Sequence, residues 1–225
     1  MKGDRSLTTN SQLSTSNSQL PQGYKQTEVG VIPEDWNVKM LKESFTIKSG
    51  FAFSSTYFSN NGSILLTPGN FKLDGGLYFN ERNTKRYSGS YPAHMEFNRG
   101  DLLVVMTDLT PDCNLLGKPA FVDINEKVLH NQRIGKIELK NQNISKEFLY
   151  RIFLSKAYLT RMRETATGST VRHTSNSSIY NTLIAFPPTI AEQNLIARAL
   201  SDTDALIESL EQLLAKKRQI KQGAM

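Results

Sequence analysis

The sequence holds a single cysteine, Cys113, among 225 residues. One thiol can close no internal disulfide and cannot build a cysteine-rich zinc site, so it fits a reducing compartment or a small residue of the core. Long apolar runs are missing too: no stretch of eighteen apolar residues occurs, which removes a membrane-spanning helix. Met1 to Ser18 is rich in Ser, Thr, Asn and Gln and lacks the apolar segment of a secretory signal, so a cytoplasmic protein is expected. Neither a P-loop nor a Gly-x-Gly-x-x-Gly pattern is present, leaving nucleotide binding by those devices unsupported. Histidine is scarce, and His94, His130 and His173 lie far apart, none at helical metal-ligand spacing. Asp108 and Asp112 could hold a cation, but in a loop between apolar strands carboxylates more often form turns. Pro187-Pro188 follows Phe186, which can neither accept from nor donate to an exocyclic amine, so the tetrapeptide of amino-methyltransferases is not made. No catalytic residue, no metal site and no cofactor are assigned.

What is present is a basic excess with a definite location. The formal charge is +6, and residues 36–189 hold nineteen Lys and Arg against twelve Asp and Glu, or +7. Residues 1–35 hold three against four, and 190–225 five against five, so the ends contribute −1 and 0. A basic middle beside a charge-balanced tail suits a polyanion-binding domain joined to a helix that binds protein.

The apolar pattern divides the chain the same way. Residues 1–22 read as a flexible polar leader with too few large apolar side chains to offset the entropy of ordering. From residue 23 to 187 the texture is that of a domain. Phe45 to Ile47, Ile64 to Leu66, Leu102 to Met106, Ala120 to Ile124 and Ile134 to Leu139 read as strands, and Asn60-Asn61-Gly62, Asp74-Gly75-Gly76 and Arg99-Gly100-Asp101 as turns. Leu102-Leu103-Val104-Val105-Met106 is apolar throughout, as in a strand covered on both faces. Ser145 to about Thr165 changes period: Phe148, Leu149, Ile152, Phe153, Leu159 and Met162 predict one amphipathic helix with Ser145 as N-cap. After Pro187-Pro188, Thr189 with Glu192 forms a capping-box pattern that starts a last helix over 188–225. With Ile196 at heptad a, apolar side chains fill d and e, and the stripe comprises Ile196, Leu200, Leu206, Ile207, Leu210, Leu213, Leu214 and Ile220. Three apolar positions per heptad must be buried against the domain, a second helix, or both. The expected class is α+β, a mixed-sheet domain followed by a long helix of coiled-coil type.

Several segments together resemble the specificity subunit of type I restriction-modification enzymes. They are Gly23-Tyr24-Lys25-Gln26-Thr27-Glu28-Val29-Gly30-Val31-Ile32-Pro33-Glu34-Asp35-Trp36, Ser49-Gly50, Arg99-Gly100-Asp101-Leu102-Leu103, His130-Asn131-Gln132-Arg133, Gly168-Ser169-Thr170, and Pro187-Pro188-Thr189-Ile190-Ala191-Glu192-Gln193 with the helix that follows. The resemblance implies two target-recognition domains held apart by two antiparallel helices, each domain reading half of a split DNA site. One domain and one such helix are found, as in a half-length subunit. Two copies could pair through the helix, and 190–225 would span about 54 Å at ~1.5 Å per residue. Implied partners are double-stranded DNA, methyltransferase subunits and, through them, restriction subunits.

A reader of sequence needs donors and acceptors on base edges and cations on phosphates. Asn131, Gln132, Arg133, Arg172 and His173 are the candidates for base edges, since amides match adenine and guanidinium matches guanine. Lys48, Lys85, Arg86, Arg163 and the hydroxyl of Thr170 are the candidates for phosphates. The alternative for Asn131-Gln132-Arg133 is that these side chains tie loops together within the domain. The alternative for the whole chain is a dimeric scaffold that binds no DNA.

Overall fold

The computed structural model describes residues 20–110 and 112–223, so the leader expected at 1–22 lies outside the described residues up to residue 19. In chain order the strands are β1 (Tyr24–Thr27), β2 (Gly30–Pro33), β3 (Asn37–Met40), β4 (Phe45–Ser49), β5 (Phe58–Ser59), β6 (Ser63–Leu65) and β7 (Lys85–Tyr87), then β8 (Leu102–Val105), β9 (Thr107–Asp108), β10 (Pro119–Phe121), β11 (Val128–Leu129), β12 (Ile134–Leu139), β13 (Arg172–His173) and β14 (Leu183–Phe186). The helices are α1 (Lys146–Leu154), α2 (Lys156–Glu164), α3 (Asn176–Tyr180) and α4 (Ile190–Gly223).

The uninterrupted apolar run is the middle of the molecule. β8 lies inside an antiparallel sheet of order β10-β8-β12-β4. Successive side chains of a strand point to opposite faces. Leu102 and Val104 therefore enter one core with Phe45, Ile47, Ile137, Phe148 and Phe153, while Leu103 and Val105 enter another with Ile64, Leu66, Val122 and Ile134. Burial of each such side chain stabilises the fold by about 1.5–3 kcal/mol. A second sheet of order β11-β6-β7-β5 mixes a parallel pair, β11 with β6, with antiparallel ones, which makes the fold α+β.

The helix expected from Ser145 to about Thr165 is two helices. Ser145 caps α1 by accepting from the Phe148 amide at 3.2 Å. Ser155 then stands in extended conformation, its φ of −64° and ψ of 143° lying outside the helical region, and its hydroxyl accepts from the Tyr158 amide at 3.3 Å as the cap of α2. A serine hydroxyl competes with the helical ladder for backbone donors, so it suits a cap better than a helix interior. The bend lets Phe153 and Tyr158, on different helices, meet in one core with ring centroids 5.0 Å apart.

The run before the prolines is β14, which pairs antiparallel with β3 and closes the domain onto its first strands. At the start of α4 the capping box is half made: Thr189 Oγ1 accepts from the Glu192 amide at 3.2 Å, but the Glu192 carboxylate accepts from Trp36 Nε1 at 3.0 Å instead of reaching back. Gln193 is buried at this root, accepting from the Ser145 amide at 2.9 Å and donating to the carbonyls of Asn143 and Pro187. Ala197 is buried and Ile196 packs on the same core, so the first turn of the stripe is covered by the domain, one of the two burials expected for it. Arg151 of α1 then holds Asp204 and Ser201. From Arg198 to Gly223 every residue of α4 is exposed.

Candidate nucleic-acid interface

β12 has two ends with different surroundings. Its Leu139 end, paired with Phe45, leads to the root of α4; its Ile134 end, paired with Val105, lies five residues away, roughly 16–17 Å along the strand. At the Ile134 end three remote segments are stitched together by main-chain bonds. The Phe51 amide donates to the His130 carbonyl at 2.8 Å, the Gln132 amide to the Phe51 carbonyl at 3.0 Å, and the Met106 amide to the Arg133 carbonyl at 2.9 Å. The Thr174 amide donates to the Met106 carbonyl at 3.0 Å, bringing the 167–173 loop to the same rim. Gly50 is required there: a Cβ on it would lie 2.3 Å from the Asn131 carbonyl oxygen.

The turn divides its side chains between two jobs. Asn131 Oδ1 accepts from the Arg133 amide at 3.0 Å, so this amide shapes the turn as an Asx motif. Gln132 and Arg133 are exposed and have no side-chain hydrogen bond among the described residues. Beneath them His130 is buried, its Nε2 on the Ile134 carbonyl at 2.8 Å and its ring 4.4 Å from that of Phe97. Burial holds this imidazole below its ordinary pKa, with the hydrogen bond to Ile134 opposing and the Lys136 charge assisting. Neutral His130 is the state that the turn is built on.

The second segment is a short ribbon in which Arg172 pairs with Asp108 and His173 with Thr107. His173 is exposed, with Nδ1 3.0 Å from Thr107 Oγ1. Arg172 Nη1 donates to the Gly168 carbonyl at 3.0 Å, while its Nε is buried without a partner among the described residues. Gly168 has φ +93°, and a Cβ would sit 2.1 Å from the Val171 oxygen, so the loop carrying exposed Thr170 closes only with glycine there. Asp108 is fully buried and accepts from the amides of Thr110, Leu115 and Leu116 at 2.8, 2.6 and 3.2 Å, which makes it the turn former expected rather than a metal ligand. Among the described residues no group of three His, Cys, Asp or Glu side chains is placed to hold a metal ion.

The remaining candidates fall into two places. Lys48 stands two residues before Gly50, exposed, 3.6 Å from Glu138. Exposed Arg163 of α2 lies close enough to Lys118 for the two charges to interact; burial first, and Arg163 second, lower the Lys118 pKa. Lys118 adjoins the same rim, since its carbonyl accepts from the Val105 amide at 3.0 Å. It escapes sequence inspection because an isolated lysine after Gly117 has no pattern. Lys85 and Arg86 belong to the second sheet instead. Lys85 is exposed with Nζ 5.8 Å from the centre of the Phe58 ring. Arg86 is occupied, donating to Glu126 at 2.8 Å and to the Gly62 carbonyl at 2.9 Å, so it is a structural cation.

A second surface carries the other sign. A cleft of about 700 Å³ between the domain and α4 is lined by Asp74, Asp204, Glu208 and Glu211, with Lys72 and Tyr150. Phosphate contacts are disfavoured there by like charge. No helix among the described residues is long and apolar enough to cross a membrane.

Residues 33–220 match the family described as the type I restriction modification DNA specificity domain. The chain is 27% identical over 191 residues to the specificity subunit of the type I restriction enzyme MjaVIII from Methanocaldococcus jannaschii, covering 82% of this chain and 43% of that one. It is 29% identical over 201 residues to the EcoBI specificity subunit from Escherichia coli, covering 84% and 38%. The fold resembles the solved S subunit of a type I restriction-modification system from M. genitalium, with a TM-score of 0.55 at 18% identity, over 82% of this chain and 43% of that one. The chain therefore spans less than half the length of these relatives.

Proposed function

The chain belongs to the type I restriction modification DNA specificity family, and from that premise we propose that it reads one half of a bipartite DNA target at the Gly50–Arg133–His173 rim and docks methyltransferase subunits through α4. The single observation that carries the reading is the division of labour at the rim. Asn131, His130 and Asp108 hold the backbone, while Gln132, Arg133 and His173 are left exposed beside Lys48, Arg163 and Thr170. Exposed donors carried on a fixed turn suit base edges, because their hydrogen-bonding groups are not used by the fold itself. Methyl transfer and cleavage are assigned to partner subunits, and the setting is the cytoplasm. In this reading residues 23–187 form the recognition domain and 188–225 the spacer.

Protein docking is supported by α4. Seven apolar side chains from Leu200 to Ile220 are 46–59% exposed. Such a stripe on a helix asks for partner helices. Its charges are segregated, with Asp202, Asp204, Glu208 and Glu211 before Lys216, Lys217, Arg218 and Lys221. An antiparallel second helix of the same kind would place opposite charges together, so a homodimer is one way to cover the stripe.

The test of DNA reading is affinity against salt. If six or more phosphates are neutralised, affinity for duplex falls by about a thousandfold or more between 50 and 200 mM salt. A salt-independent affinity, or none at low salt, contradicts the reading and favours a scaffold.

A further inference from the structure

An aromatic chain runs from the turn into the second sheet. Phe51 is bridged to Asn131, and its ring is 36% exposed. The ring is not loose: it packs edge to face on Phe53 with centroids 5.1 Å apart, and Phe53 packs on Tyr87 at 4.8 Å. Tyr57 and Phe58, both exposed, also lean on Tyr87, and Lys85 stands over Phe58. A patch of exposed rings edged by a cation marks a contact surface, and its continuity with Gln132 and Arg133 assigns duplex DNA as the occupant.

In the major groove only thymine presents a methyl group, and an apolar side chain is what reads it. A ring packed edge to face on Phe53 has given up rotamer freedom in the fold, so less is lost when it meets a ligand. We propose that Phe51 is a specificity-determining residue, packing on the C5-methyl of a thymine adjacent to the bases read by Gln132 and Arg133. This rests on the rim being the DNA face.

The test selects bound sequences from random duplexes with the full chain, then replaces each thymine of the selected site by deoxyuridine. One replacement is expected to weaken wild-type binding about fourfold, the worth of one buried methyl, and to leave Phe51→Ala binding unchanged. Because the two DNAs are compared on one protein, their ratio cancels any difference in folded fraction between variants. A selected site without a sensitive thymine, or equal losses in wild type and Phe51→Ala, overturns the assignment while leaving the DNA reading intact. Selection of no sequence at all by the wild type removes both.

Discussion

Arg133 and Arg172 carry the same side chain in opposite circumstances. Arg133 is exposed with no side-chain bond among the described residues, whereas Arg172 is clamped to the Gly168 carbonyl with its Nε buried. Arg133→Ala is accordingly expected to lower affinity for the cognate duplex by about 1–3 kcal/mol, the worth of a bidentate base contact, with an unchanged melting temperature. Arg172→Ala is expected to lower the melting temperature by about 2–4 °C for each kcal/mol lost, as read by calorimetry. The sequence pointed to both arginines but not to this difference, because it depends on which loops meet them. His130 adds a pH dependence. Its folded pKa lies below the ordinary 6.5, chiefly through burial, so the unfolded chain takes up the proton first. Its contribution to stability is whole above about pH 6.5 and declines as pH falls through that value toward the folded pKa. Melting curves between about pH 8 and pH 5 should show a part of the acid decline that His130→Gln lacks; identical pH profiles would contradict the account.

At the scale of elements, the sequence resolved periods better than boundaries. The strand at Leu102 was legible because burial on both faces leaves a run without polar positions. The break at Ser155 was not, since Phe153, Tyr158 and Leu159 keep an apolar spacing across it. Ser155→Ala removes the α2 cap and is expected to destabilise the protein by about 1 kcal/mol, measurable by urea denaturation. The heptads of α4 were legible as well, but a heptad does not say which partner covers each turn. Ile196 meets the domain, whereas Leu206 and Leu213 are exposed and belong to no core cluster among the described residues. Leu206→Asp with Leu213→Asp should therefore leave the melting temperature unchanged when the chain is dilute enough to be monomeric, and abolish co-purification with a methyltransferase subunit. A fall in melting temperature would place those leucines in a core.

For the whole molecule, the useful quantity is the placement of charge and apolar surface rather than their totals. The basic excess of residues 36–189 was legible as a sum, and its geography was not. Asp74 and Glu208 are 134 positions apart in sequence yet line one acidic cleft, while Gln132, Arg133 and His173 stand exposed around the Ile134 end of β12. The proposed DNA and protein partners are thereby assigned to separate surfaces, with α4 extending away from a root that Gln193 and Trp36 fix to the domain. The most direct measurement is site-specific photocrosslinking on a duplex, with p-benzoylphenylalanine placed at Gln132 in one sample and at Glu208 in another. The account expects a DNA adduct from position 132 and none from position 208; an adduct from 208 with none from 132 would contradict it.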